Sequence, residues 1–154
     1  MKVYLARHGE AASGNIDSKR PLSETGCQDV DLIADFLALR QLQVDYFFHS
    51  GKLRTQQTAE RLSRALACTR GVAARSGLDP TDLVSPIASE INQFGHDLAL
   101  VGHMPFMGKL LSKLITGSEN HDLVAFQPAT LVCLERMEDG GWILKWVLCP
   151  ELFR

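Results

Sequence analysis

The sequence predicts an α/β fold: a single-domain three-layer sandwich with a mostly parallel central sheet and an antiparallel edge. Three observations predict it. Short β-branched and aromatic runs alternate with segments of helical periodicity, the last two strand-like runs are joined by a tight turn, and no linker, repeat or low-complexity tract interrupts the 154 residues. We therefore treat residues 1–154 as one domain.

The first half of the chain alternates in this way from its start. A strand over 2–6 ends at Arg7-His8-Gly9, and a polar loop follows over 11–21. Ser23 is a suitable cap for a helix with apolar residues at 30, 33, 34 and 37. The next strand is predicted over 44–48.

The second half continues the pattern. We predict a helix over 53–66, a weak strand near 72–75, a helix over 85–94, a strand over 98–102, a helix over 106–115, and strands over 129–135 and 142–148. The turn Glu138-Asp-Gly-Gly141 joins the last two strands as a hairpin. Trp142 and Trp146 are four residues apart, so a regular strand would place them on the same face.

Composition narrows the classes of function. The net charge of -2 offers no general attraction to nucleic acid or membranes. No apolar run is long enough to span a bilayer and residues 1–6 lack a signal-peptide pattern, so a cytoplasmic location is expected. The four cysteines are scattered, which predicts unpaired and buried thiols in a reducing compartment.

Three predicted strands lead to a cationic or imidazole side chain. The first delivers Arg7 and His8, the second leads to Arg54 at the start of a helix, and the apolar strand over 98–102 delivers His103. Ligands of α/β sheets bind where the chain leaves the carboxyl ends of the strands. Two guanidinium forks and two imidazoles at one edge would suit a phosphoryl group. The guanidiniums should also keep His8 neutral.

The motifs carrying these residues resemble the histidine phosphatase superfamily, which is phosphoglycerate mutase-like, and within it the short SixA-type phosphohistidine phosphatases. The matching segments are Arg7-His8-Gly9-Glu10-Ala11, Arg20-Pro21-Leu22-Ser23 with Gly26, the group Ser50, Arg54, Gln57, Thr58 and Ala59, and Gly102-His103-Met104-Pro105.

The resemblance implies a nucleophile and its partners. His8 would attack phosphorus through one ring nitrogen while the other donates to a backbone carbonyl, giving phospho-His8. Arg7, Arg54 and His103 would be catalytic and bind the phosphoryl group, and Arg20 could help to hold the substrate. No metal and no cofactor are expected.

A short segment between Gly77 and Asp97 indicates an open site without the acid-bearing insertion of larger relatives. The carboxylates of Glu10, Asp79 and Asp82 could still approach the pocket and act as the acid. An imidazole leaving group needs less assistance than an alkoxide. We therefore expect a phosphohistidine-bearing protein of phosphorelay or carrier type as the partner, phosphate or sulfate as pocket ligands, and a monomer by default.

Other functions compete with this interpretation. The nearest is a phosphatase for small phosphoesters, followed by a mutase or a non-catalytic phosphate-binding module. A metal site is disfavoured because arginines flank His8 and His103. His49, His96 and His121 are expected to be surface or loop residues.

Overall fold

A computed structural model describes residues 1–154 and contains a six-stranded mixed sheet with two helices on each face. Its elements are β1 (Lys2–Arg7), α1 (Glu24–Ala38), β2 (Leu42–Val44), β3 (Tyr46–His49), α2 (Leu53–Leu62), β4 (Leu66–Cys68), β5 (Val72–Ala74), α3 (Ser85–Phe94), β6 (Leu98–Gly102), α4 (Phe106–Thr116), β7 (Leu131–Arg136) and β8 (Trp142–Leu148). Two short 3₁₀ turns, Asp17–Lys19 and Pro150–Phe153, complete the chain.

The strand order of the main sheet is β5-β3-β6-β1-β7-β8. The first four strands are parallel to one another, whereas β7 runs antiparallel to β1 and β8 antiparallel to β7. The predicted α/β class, with a parallel centre and an antiparallel hairpin at one edge, is confirmed.

The central strand β1 is buried on both faces. Val3 and Leu5 pack into a cluster with α3 and α4, while Tyr4 and Ala6 pack with α1 and α2. This is the alternation of a strand with period two, and both of its faces are covered. The layers are therefore helix pair, sheet and helix pair.

Local signals define most helix ends. The Ser23 side chain caps α1 by accepting a hydrogen bond from Gly26 N at 3.0 Å. Gly95 and Gly117 end α3 and α4 in the left-handed conformation. The helix predicted over 53–66 ends at Leu62, because Leu66–Cys68 pairs with β2 in a separate two-stranded sheet.

The predicted placement of the two tryptophans is wrong. Trp142 belongs to the cluster under α3 and α4, whereas Trp146 packs on the opposite face against Tyr4. The pairing register shifts between Cys133 and Leu134, where Lys145 is an extra residue in β8. A bulge of this kind reverses the side-chain alternation that follows it.

The four cysteines are all unpaired, but only Cys133 is buried; the other three are partly exposed. The expectation of buried thiols is therefore wrong for those three. No helix is both long enough and apolar enough to cross a bilayer.

Candidate active site

Three adjacent strands bring the predicted side chains to one edge of the sheet. β3, β6 and β1 are neighbours, and His103 and His8 follow the carboxyl ends of β6 and β1. The His8 backbone N donates to Gly102 O at 3.1 Å, and the two imidazole centroids are 5.0 Å apart. Arg54, in the first turn of α2, reaches the same place, with its Nε 3.3 Å from His8 Nε2.

The contacts of His8 define its tautomer. Nδ1 lies 2.6 Å from Gly9 O, and a carbonyl can only accept, so Nδ1 carries the proton. Nε2 therefore has an unshared pair and accepts from Arg54. Burial is the main cause that lowers the pKa of His8 from 6.5 to about 4; the hydrogen bond to Gly9 opposes it, and the charges of Arg54 and Arg7 reinforce it. Sequence reasoning named only the guanidiniums; burial is the larger cause.

Arg54 is a charged residue with only 5% of its surface exposed, and three contacts hold its guanidinium. Besides its contact with His8, Nη1 donates to Asp17 O at 2.9 Å and Nη2 lies 3.4 Å from Asp17 Oδ2. Nε and Nη2 form one edge of the planar guanidinium, the fork that binds a phosphoryl group bidentately. His8 Nε2 and the Asp17 carboxylate thus lie side by side along that edge.

Arg7 and His103 each keep one buried nitrogen without a protein partner. Arg7 Nη1 donates to Phe126 O at 2.7 Å, but its Nε has no partner. His103 is 2% exposed, and its Nε2 lies 2.7 Å from Ser50 Oγ while Nδ1 has no partner. Buried polar atoms are normally hydrogen-bonded, so these two nitrogens mark positions that a ligand would complete.

Burial also dominates the electrostatics of His103. Burial, reinforced by the charges of Arg54 and Lys52 and opposed by Asp17, lowers the pKa of this imidazole to about 3; a protonated His8 would also repel a proton on His103. Both imidazoles are therefore neutral near pH 7.

Other residues of the matching motifs fix the loops around the site. Gly9 N donates to Thr58 Oγ1 at 3.1 Å, and this hydroxyl donates to Arg54 O at 2.7 Å. Gly26 allows α1 to approach the first loop closely, since a Cβ there would lie 2.1 Å from Glu10 O. These contacts tie the loop that carries His8 to both α1 and α2.

Sequence reasoning missed Asp17 and Lys52. Lys52 Nζ lies 2.8 Å from Asp17 Oδ2, the oxygen that also faces Arg54. The hydrogen bond from Lys52, together with Arg54, holds the pKa of Asp17 well below its ordinary value, so the carboxylate is ionised. The only available signal was position, because Lys52 precedes Arg54 by two residues and Asp17 lies in the loop before Arg20.

Arg20 is directed towards its own loop. Its Nε donates to Ala12 O at 2.9 Å and its Nη1 lies 3.4 Å from Asp17 Oδ1. Its charge contributes to lowering the pKa of His8. A contact between Arg20 and substrate stays a prediction.

Two of the three carboxylates considered from the sequence, those of Glu10 and Asp82, are hydrogen-bonded elsewhere. Glu10 Oε1 accepts from Ser23 Oγ at 2.7 Å, and Asp82 Oδ2 accepts from Asp79 N at 2.9 Å. None of the three is hydrogen-bonded to Arg7, His8, Arg54 or His103.

The remaining histidines are not part of this cluster. His49 is 5% exposed at the end of β3, where burial lowers its pKa, so its predicted surface position is wrong. His96 lies near Asp45, and His121 is in an exposed loop. No group of three or more His, Cys, Asp or Glu side chains lies close enough to hold a metal ion.

Comparison with known proteins places this geometry in a family. Residues 3–82 match the model of the histidine phosphatase superfamily (branch 1). The chain belongs to this superfamily. Among its relatives is the phosphohistidine phosphatase SixA of Escherichia coli (strain K12), 26% identical over 155 residues that cover 97% of this chain and 94% of SixA.

Solved structures of the superfamily share the whole fold. The protein histidine phosphatase SixA complexed with tungstate superposes with a TM-score of 0.88 at 24% identity, covering 100% of both chains. The alpha-ribazole phosphatase from Shigella flexneri superposes with a TM-score of 0.76 at 13% identity, covering 97% of each chain. The family match and the SixA relative identify this member of the histidine phosphatase superfamily as a phosphatase.

Proposed function

We propose that this phosphatase hydrolyses phosphohistidine on a protein through a phospho-His8 intermediate. The observation that carries the proposal is the state of His8. Its proton is fixed on Nδ1 by Gly9 O, its Nε2 pair is unshared, and Arg54 Nε lies 3.3 Å from that nitrogen. This is a neutral nucleophile set beside a phosphoryl-binding fork.

The reaction has two steps. His8 Nε2 forms a bond to phosphorus while the P–N bond of the substrate breaks, and the leaving imidazole takes a proton from solvent at the released nitrogen. Water then attacks phospho-His8, which releases inorganic phosphate and restores neutral His8. Fixed charges on Arg7 and Arg54, with His103 as a further partner, stabilise the negative charge of the phosphoryl oxygens in both steps.

The electrostatics of Asp17 support a phosphohistidine substrate. Asp17 is the carboxylate that contacts Arg54, and its pKa is held low, so it has no proton to give to a leaving group. An alkoxide would need such a proton, whereas imidazole leaves more readily. The name of the E. coli relative, phosphohistidine phosphatase SixA, supports this choice.

A substrate comparison tests the reaction. We expect rapid phosphate release from a phosphorylated histidine phosphotransfer protein and from phosphoramidate, slow release from p-nitrophenyl phosphate, and no loss of activity with chelator. His8→Ala should abolish turnover while the protein remains folded. His121→Ala, in an exposed loop, is the matched control and should keep full activity. Faster release from the ester would favour the small-phosphoester function instead.

Mapping the intermediate tests the nucleophile. The enzyme is mixed briefly with phosphoramidate, quenched under non-acidic conditions and digested for mass spectrometry. We expect phosphate on the peptide containing His8 and none in His8→Ala. Phosphate on His103 would overturn the assignment of the nucleophile.

A further inference from the structure

A chain of hydrogen bonds behind His103 fixes the position of its proton. Thr55 Oγ1 lies 2.6 Å from Lys52 O, and because a carbonyl only accepts, the threonine hydroxyl donates its one proton there. Ser50 Oγ lies 3.0 Å from Thr55 Oγ1, so Ser50 must be the donor in that pair. Its own proton is then used, and Ser50 Oγ accepts from His103 Nε2 at 2.7 Å.

This chain leaves His103 with a proton on Nε2 and an unshared pair on Nδ1, the buried nitrogen that has no protein partner. His8 has the opposite tautomer, with its proton on Nδ1. The unshared pair of Nδ1 would repel a phosphoryl oxygen that carries no proton. A bond between the two therefore needs one further proton.

We propose that Ser50 and Thr55 are positioning residues that hold His103 in the Nε2–H tautomer, so that a phosphoryl dianion binds together with one proton at Nδ1. The proposal rests on the proposed use of this site for phosphoryl groups. On binding, one proton from solvent is shared between Nδ1 and a phosphoryl oxygen. On release of phosphate it returns to solvent, and His103 is neutral again.

The charges around His103 agree with this coupling. Burial and the charges of Arg54 and Lys52 disfavour a proton on His103 in the empty site, as would a protonated His8, whereas Asp17 favours one. A bound dianion adds negative charge beside the ring and reverses the balance. Binding of the anion should accordingly weaken as pH rises, because one proton is taken up for each anion bound.

Removal of one hydroxyl should change the proton count. In Thr55→Val, Ser50 no longer has to donate to residue 55 and can donate to His103 Nε2. This allows the Nδ1–H tautomer, which donates to a dianion without taking up a proton. Thr55→Ser keeps the hydroxyl and should take up the same number of protons as the protein with Thr55.

Calorimetry with tungstate, a dianion at mildly alkaline pH, measures that count in two buffers of different ionisation enthalpy. The parent protein is His8→Ala, so that no proton can be taken up at residue 8. We expect an uptake of about one proton per anion in the parent, less than half of that after Thr55→Val, and recovery with Thr55→Ser. Thr116→Val removes a comparable hydroxyl bond, to Ser112 O at the end of α4, and should leave the uptake unchanged.

An uptake near zero in the parent, an uptake unaffected by Thr55→Val, or an equal loss in Thr116→Val would each overturn the proposal. Side-chain NMR of the ligand-free wild type gives a test that needs no anion: His103 should be Nε2–H and His8 Nδ1–H, and an Nδ1–H His103 would also overturn it. A protein that passes these tests but never forms phospho-His8 would refute the proposed function alone.

Discussion

Replacing Arg54 tests the electrostatic basis of the proposed reaction. Arg54→Ala removes a buried guanidinium whose Nε lies 3.3 Å from His8 Nε2 and whose second N–H completes the fork. Loss of one fixed donor at a site of developing charge costs about 3 kcal/mol in the barrier, which corresponds to about 150-fold in kcat. Arg54→Lys retains the charge but not the fork, so its activity should fall between those of the wild type and Arg54→Ala.

The pH profile distinguishes this loss from simple damage. The acid limb of kcat/KM reports the pKa of His8 in the free enzyme. Arg54 is one of the groups that lower that pKa to about 4, after burial, so Arg54→Ala should move the acid limb to higher pH. The assay is phosphoramidate hydrolysis over pH, with protein folding checked at each pH.

Arg61→Ala is the control, because Arg61 lies on the same helix but pairs with Asp31. Activity of Arg54→Ala within about threefold of wild type would show that Arg54 lowers the barrier by far less than about 3 kcal/mol. A movement of the acid limb to lower pH would refute the electrostatic account of His8.

Three further predictions concern the surroundings of the site. Asp17→Asn removes a half-exposed carboxylate that competes with a ligand for Arg54 Nη2, so inhibition by phosphate should tighten about two- to fivefold, since exposed ion pairs are weak; weaker inhibition would contradict the competition. Gly26→Ala puts a methyl group 2.1 Å from the Glu10 carbonyl, so urea unfolding should show a loss of more than about 1 kcal/mol, and unchanged stability would contradict the close approach. The pKa of His103 falls from 6.5 to about 3 on folding, so its contribution to stability is complete above pH 6.5 and is lost at about 1.4 kcal/mol per pH unit as the pH falls from there towards 3. The urea midpoint of His103→Asn should therefore depend less on acid pH than that of the wild type. An equal dependence would be inconsistent with a neutral buried ring.

The sequence was sufficient to predict the central architecture because its strands are marked in two ways. Strands β1, β3 and β6 are apolar runs, and each ends abruptly at a charged residue, an imidazole or glycine, as at Ala6-Arg7, Phe48-His49 and Gly102-His103. The parallel arrangement then brings those ends to one edge without knowledge of any loop. This is why residues from three distant segments could be expected together.

What escaped prediction depends on tertiary contacts. Leu66–Cys68 continues an apolar helical pattern and becomes a strand only because β2 lies beside it. The extra residue Lys145 gives no local sign of the bulge that turns Trp146 to the other face. Asp17 lies in a polar loop that could equally be solvated, and only the folded chain shows its contact with Lys52.

The main chain of His8 is fastened on both sides. Its N–H donates to Gly102 O and its carbonyl accepts from Ala129 N, so the residue extends the sheet beyond the end of β1. The ring is held as well, by Gly9 O at Nδ1 and by Arg54 Nε at Nε2, so the side chain is not free to swing outward to a distant phosphate. In the proposed reaction, the substrate protein therefore has to extend its phosphorylated residue to a fixed His8.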